Sequence, residues 1–361
     1  MTDSYELDFL AVETAKSGDA ICIRYTVDSE TFIHVVDGGY ASTGETMVEH
    51  INDYFDNPAF IDNVVVTHND GDHARGLQVI LESFKIGTLW MLRPWEYADV
   101  LIDRFEKYTN VDNLKKRLRE AYPNLAALED LAADKGIPIK APFQGAAIGA
   151  FTVMAPTKPR YLDLVVDSEK TPNAVKADDG AFGLLEKVIV QAAAKIVNLV
   201  KAAWGEETFS TQETSAENEM SVVQYAKLCG ENILLTGDTG RGGLQEVVDF
   251  APAVGLQLPG IDRFQVPHHG SRRNVSTALL DKLLGPRLNH QPATPTFYGY
   301  ISSALADTHH PRKSVVRAMY HRGGLALPTE GQTINTGKNK PMRPGWGPAS
   351  PMPYPNEQEE A

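Results

Sequence analysis

The stretch Thr67-His68-Asn69-Asp70-Gly71-Asp72-His73 follows directly on the apolar run Val64-Val65-Val66. An apolar, β-branched run bounded by polar residues reads as a buried strand. Four metal-capable side chains, His68, Asp70, Asp72 and His73, then stand at its mouth. A strand end fixes the backbone, and the loop beyond it can fold these groups back around a small cation. Imidazole with carboxylate suits Zn²⁺, Mn²⁺ or Fe better than Ca²⁺ or Mg²⁺. The device recurs downstream. Leu234-Leu235-Thr236-Gly237-Asp238 puts a carboxylate after an apolar strand, and Phe264-Gln265-Val266-Pro267-His268-His269 puts two imidazoles after another. His309-His310-Pro311 precedes a helical segment over Ser314–His321. Singly, each is an ordinary turn or surface feature. Together they place polar ligands at several strand ends, which is how a layered sheet protein assembles a two-metal site.

The surrounding pattern predicts alternating strands and helices. Strands are expected at Ala20–Tyr25, Phe32–Val36, Asn63–Val66 and Lys85–Met91, with a helix near Thr43–Tyr54. Strand, helix, strand at this spacing argues for an α/β layered architecture. Residues 96–135 are helix-rich and charged, and Lys115, Lys116, Arg117 and Arg119 form a basic cluster that reads as a solvated helix face. Residues 157–216 read as a second insertion. Within it, Gly183–Trp204 has the pattern of an amphipathic helix with Lys187, Gln191, Lys195, Asn198 and Lys201 on one side. Strands resume at Ser221–Leu228 and Asn232–Thr236. The reading is one domain over 1–337, then a flexible tail over 338–361, where Pro344, Pro348, Pro351, Pro353 and Pro355 forbid regular structure.

Composition narrows the classes. The 361 residues carry a formal net charge of −13, from 34 Lys+Arg against 47 Asp+Glu. That excludes a protein that coats nucleic acid through general phosphate neutralisation, but not one with a local basic groove. No apolar run reaches the length of a membrane span, and the first residues lack the pattern of a secretion signal. Cys22 and Cys229 sit in apolar runs as free thiols, which fits a reducing cytoplasm.

The ordered motifs resemble the metallo-β-lactamase superfamily, whose signature is His-x-His-x-Asp-His. They are most similar to its ComEC-type metallohydrolase branch, in which the second His is replaced by Asp, as Asp70 is here. Gly18-Asp19-Ala20, Asp37-Gly38-Gly39, Asn218 with Ser221, Thr236-Gly237-Asp238, His268 to Ser271, and His310-Pro311 all match that branch in order. The resemblance spans about residues 5–335 and implies an αββα sandwich with helical insertions. Two features depart from it. Ala11–Ala20 is longer than the family segment and has fewer glycines, and no His lies between residues 74 and 267, where many members carry a third imidazole.

Carried over by position, the resemblance implies two divalent ions, zinc first and manganese as the alternative. His68 and Asp70 would hold one, and Asp72, His73 and His268 the other, with Asp238 bridging. Asn218, Ser221, His269, Ser271, Arg272 and Arg273 would meet the substrate. Asp72 would handle the proton of the attacking water, and His310 that of the leaving oxygen. Arg272 and Arg273 beside such a centre suit an anionic oxygen, hence a phosphodiesterase or nuclease acting on nucleic acid or a nucleotide. A hydrolase of a small acyl compound (lactone, thioester, β-lactam) is the alternative, as is a non-catalytic metal-binding module. The helical insertions are the expected surface for a homodimer or larger assembly.

Overall fold

The computed structural model describes residues 2–171 and 198–360. Two seven-stranded mixed sheets face one another. The first has the order β15-β1-β2-β3-β4-β5-β6 and the second β14-β13-β12-β11-β10-β8-β7. In the first sheet these are β1 (Ser4–Phe9), β2 (Ala20–Val27), β3 (Glu30–Gly38), β4 (Phe60–Val65), β5 (Lys85–Trp90), β6 (Ile139–Lys140) and β15 (Ile334–Lys338). The second contains β7 (Ala147–Ile148), β8 (Phe151–Ala155), β10 (Val223–Leu228), β11 (Glu231–Leu235), β12 (Arg263–Gln265), β13 (Tyr298–Ile301) and β14 (Leu325–Pro328). Helices that include Ala41–Tyr54, Leu77–Ser83 and Pro123–Lys135 accompany the first sheet, and Arg241–Phe250, Thr277–Leu284 and Lys313–His321 the second. The architecture is the expected αββα sandwich.

Each sheet has an antiparallel part and a parallel part. Strands β3 to β6 run parallel in the first sheet, and β11 to β14 in the second. Parallel strands need crossovers, and the intervening helices provide them. The layer between the sheets is apolar and aromatic: Phe9 stacks on Tyr300 with ring centroids 4.7 Å apart, and Phe151 meets both Tyr25 and His34. Asp37 stands at the end of β3, and the segments that follow β4, β11, β12 and β13 carry His68–His73, Asp238, His268–His269 and Asp307–His310. They meet at one end of the sandwich, beyond the carboxyl ends of the parallel strands, where backbone turns leave room for a site.

Two expectations need correction, and a third holds. The tail is not free. Arg343 is buried, its guanidinium bonded to Glu6 at 2.7 Å and to Asp8 at 2.8 Å, and stacked on Tyr54 and Trp346. Beyond the prolines, β16 (Glu357–Glu359) pairs antiparallel with β9 (Leu199–Lys201). Prolines forbid helix there but not an extended, packed chain, and the strand itself has none. Residues 183–197 of the expected helix Gly183–Trp204 lie outside the described residues, and the following Leu199–Lys201 is strand because its backbone pairs with the tail. The basic cluster near residue 117 is surface helix: Lys115, Arg117 and Arg119 pair with Glu96, Glu120, and Glu129 with Asp130. Among the described residues no helix is long and apolar enough to cross a membrane.

Candidate metal centre

Asp238 is the hub. It follows β11 through Gly237, whose φ of +51° turns the chain, and only 3% of it is exposed. Its Oδ1 lies 3.4 Å from His73 Nε2; its Oδ2 lies 3.8 Å from His68 Nε2, 3.7 Å from His268 Nε2 and 4.0 Å from His269 Nε2. Around it, His68, His73 and Asp238 form one group able to hold an ion; Asp72, His73 and His269 form another; Asp19, Asp238 and His269 a third.

Chemistry decides whether these groups fit metal. Asp19 Oδ1, His68 Nε2, His73 Nε2, Asp238 Oδ1 and His269 Nε2 are all buried without a hydrogen-bond partner. Buried polar atoms are normally satisfied, because an unpaired one costs about 1–3 kcal/mol. Five such atoms in overlapping groups about Asp238, all of them good ligands, fit divalent cations. The mixed imidazole and carboxylate set suits a divalent ion of the transition series.

Partners behind the donors aim them. Asp37 accepts from His73 Nδ1 at 2.8 Å and from the Thr67 hydroxyl and backbone N–H at 2.6 and 2.9 Å. That contact leaves His73 Nε2 free toward Asp238. His269 Nδ1 is 2.8 Å from the Ser302 carbonyl, and Gln265 Nε2 donates to Asp19 at 2.9 Å. His68 Nδ1 rests against Thr67 and Ser221 hydroxyls, at 3.0 and 3.3 Å. Such outer contacts fix ring orientation and tautomer. Asp37, His268 and His269 adopt φ of 55°, 48° and 55°, a left-handed conformation costly for residues with a Cβ. The strain sits where the ligands must point inward.

Burial alone would raise the Asp238 carboxyl, yet the imidazoles of His73, His268 and His269 hold it well below the usual carboxylate range. Burial pushes Asp19 up. Burial lowers His268 to about 4, whereas His269, despite burial, is raised to about 9 by Asp238 and Asp72.

The structure assigns several predicted residues differently. His269, expected to meet substrate, lies 4.0 Å from the hub against 3.7 Å for His268 and is the more enclosed of the two, because the turn Pro267–Gly270 delivers both rings inward. Asn218 and Ser221, also expected to meet substrate, are buried behind the histidines and are not part of the cleft wall. Asn218 Nδ2 lies 3.0 Å from His268 Nδ1, and Ser221 is fully buried between His68 and the Asp238 backbone N–H. Asp70 lies 3.8 Å from His68 but is also ion-paired to Lys170. Asp72 faces His269 Nε2 at 3.8 Å. His310 stands beside both His268 and His269, with Nδ1 3.1 Å from Asp307. Asp19, Asp37 and Asp307 had no assigned role; the first two were visible only as parts of Gly-Asp-Ala and Asp-Gly-Gly.

A cleft of about 1190 Å³ opens over the cluster. Asp70, Asp72, His268, His269, Ser271 and His310 reach it, and so do five cationic side chains: Lys16, Arg75, Arg272, Arg273 and Arg312. In a chain of net charge −13 this is a local reversal of sign.

No family model matches the chain, and no curated protein does. Among solved structures it is similar to metallo-β-lactamase SMB-1 bound to 2-mercaptoethanesulfonate, at 10% identity over 68% of this chain and 74% of that one, with a TM-score of 0.30. It is also similar to a putative metallo-β-lactamase from Thermotoga maritima, at 10% identity over 66% and 83%, TM-score 0.28. A variant of the CmlA β-hydroxylase aligns with 92% of this chain at 12% identity and a TM-score of 0.41, and the chain spans about half (53%) of its length. At these scores the likenesses carry no weight for function, and the sandwich stands on the strand orders themselves.

Proposed function

We propose that this chain is a metal-dependent hydrolase of the ComEC-like type that cleaves phosphodiesters, in nucleic acid or a nucleotide. The observation that carries the reading is the ring of Lys16, Arg75, Arg272, Arg273 and Arg312 in the cleft over the histidine and aspartate cluster. An acyl substrate such as a lactone has no use for so many cations. A phosphodiester brings a charge that remains and grows during the reaction.

Asp19, Asp72, His73 and His269 with Asp238 would hold one ion, and His68, Asp70 and His268 with Asp238 the other. Divalent ions there would supply charge to polarise a phosphoryl oxygen and acidity to a bound water. The protein does the rest. Arg272, Arg273 and Arg312 seat the non-bridging oxygens from one wall, and Lys16 and Arg75 hold the neighbouring part of the substrate. Asp72, partly exposed to the cleft, orients the attacking water and accepts its proton. His310, whose Nδ1 faces the Asp307 carboxylate, would act as the imidazolium, passing its Nε2 proton to the leaving oxygen and keeping the Nδ1 proton on Asp307. Asp307 is itself fixed by the Ser17 hydroxyl at 2.8 Å and the His309 N–H at 2.8 Å.

The test is a panel of phosphodiesters (single- and double-stranded DNA, RNA, cyclic nucleotides) beside a panel of lactones, thioesters and β-lactams, each with added Mn²⁺ or Zn²⁺. Phosphodiester turnover lost in Asp238→Asn is expected. Turnover of the acyl panel alone, or of neither with metal demonstrably bound, overturns the reading.

A further inference from the structure

The two ends of the cluster are built differently. At the deep end, Asp19, His73 and His269 gather about Asp238 and are braced from behind by Gln265, Asp37 and the Ser302 carbonyl, and Asp72, with a side chain 24% exposed, joins them from the cleft beside His269. At the outer end, around His68, the further donors are Asp70 and His268, and both are partly open to solvent, with side chains 33% and 26% exposed. One Asp70 oxygen lies 3.8 Å from His68 Nε2, while the other is ion-paired with the Lys170 ammonium.

Lys170 is anchored at its root. Its backbone N–H donates to the Ser168 hydroxyl at 3.1 Å, and that hydroxyl donates to Glu217 at 2.5 Å. The buried Thr171 hydroxyl donates to the carbonyls of Val165 and Ser168, at 2.9 and 2.8 Å. The ammonium is therefore delivered to Asp70 by a fixed stretch of backbone. A positive charge already sits on the carboxylate that the outer ion needs.

We infer that Lys170 is a built-in competitor for the outer metal position, so that the deep position fills first and tightly while the outer one fills only by displacing the ammonium from Asp70. This rests on the metal-centre reading above and adds an order of filling to it. A divalent ion entering beside His68 must share Asp70 with Lys170 or break the pair. Either route weakens the outer ion by its repulsion with the ammonium, and the deep ion, whose ligands do not include Asp70, is spared.

The experiment is calorimetric titration of the full chain, stripped of metal, with Mn²⁺ alone, the bound ion being followed in parallel by its paramagnetic resonance. The wild type should show two separate affinities. Lys170→Met and Lys170→Gln should tighten the weaker equivalent about tenfold, the size of effect one unit charge has on a nearby divalent ion in a water-like medium, and leave the tighter one unchanged. Lys170→Arg should keep the wild-type pattern, and Asp70→Asn should lose only the weaker equivalent. Two equal affinities in the wild type, or an unaltered weaker equivalent in both neutral variants, would overturn the inference while leaving the hydrolase reading intact. No Mn²⁺ uptake at all would remove the centre and both readings with it.

Discussion

Asp238→Asn gives the sharpest test of the centre. Asp238 is the carboxylate that approaches all four imidazoles, at 3.4 to 4.0 Å. An amide keeps its shape but removes the charge shared by both ions. Binding of an ion to the folded chain alone adds about 4 kcal/mol of stability at a free concentration a thousand times Kd. Unfolding entropy of about 2.1 cal/mol/K per residue gives roughly 0.8 kcal/mol/K over 361 residues. The two numbers together predict that metal raises the wild-type Tm by about 5 °C relative to chelated protein. In Asp238→Asn the same comparison should give about 1 °C or less, because the weakened ions no longer reach saturation. Differential scanning fluorimetry with EDTA and with Mn²⁺ or Zn²⁺ measures both shifts. Each protein is its own reference, so any change in the metal-free Tm drops out. Equal shifts in variant and wild type would refute the placement of Asp238 at the hub.

Three further outcomes follow from packing. Arg343→Met leaves Glu6 and Asp8 buried with one fewer cation; a loss of about 3 kcal/mol is expected in urea unfolding, and a loss under about 1 kcal/mol would show that the tail is not held. Burial opposes it, but Arg322 and His321 lower the buried Glu207 from 4.5 to about 2. A depressed carboxyl stabilises the fold fully above its unfolded value and loses that stability as pH falls through the folded one. The limb between about pH 5 and 2 should therefore carry about 3 kcal/mol, and Glu207→Gln, compared by acid titration of stability, should flatten it. In Gly76→Ala the new Cβ would lie 1.9 Å from the Gly38 carbonyl oxygen, so backbone next to Asp37 must move; about 2–3 kcal/mol of stability should go, and Mn²⁺ affinity should fall with it, whereas an unchanged affinity would separate that turn from the centre.

Much of the centre was legible because it lies in short sequence neighbourhoods. His68, Asp70, Asp72 and His73 share one loop, and Asp238 and the His268–His269 pair each follow an apolar strand, so strand and ligand announce each other. What escaped was set by tertiary pairing. Asp19 joins the cluster because β2 begins beside the loop that holds Asp72, whose carbonyl accepts the Asp19 N–H at 3.1 Å. Asp37 is a brace because β3 and β4 run parallel, a pairing no local pattern encodes. Which of His268 and His269 points deeper depends on two consecutive left-handed residues, and composition favours neither ring. Lys170 belongs to no motif. The prolines between residues 344 and 355 spoke correctly against helix, but the partners that order the tail, Glu6, Asp8 and Leu199–Lys201, are far away in sequence.

The strand Glu357–Glu359 has a consequence beyond its two-stranded pairing. Glu359 accepts the backbone N–H groups of Lys313 and Ser314 at 2.8 and 3.0 Å, Gln358 accepts that of Thr208 at 2.9 Å, and the Glu360 carbonyl accepts from Arg272 at 2.8 Å. Three separate segments beside the opening, near Thr208, Arg272 and Lys313, are thus sewn to one short stretch of chain. The outline of the mouth above Asp238 is therefore set in part by a short strand that belongs to neither large sheet, and breaking its pairing would loosen all three segments at once.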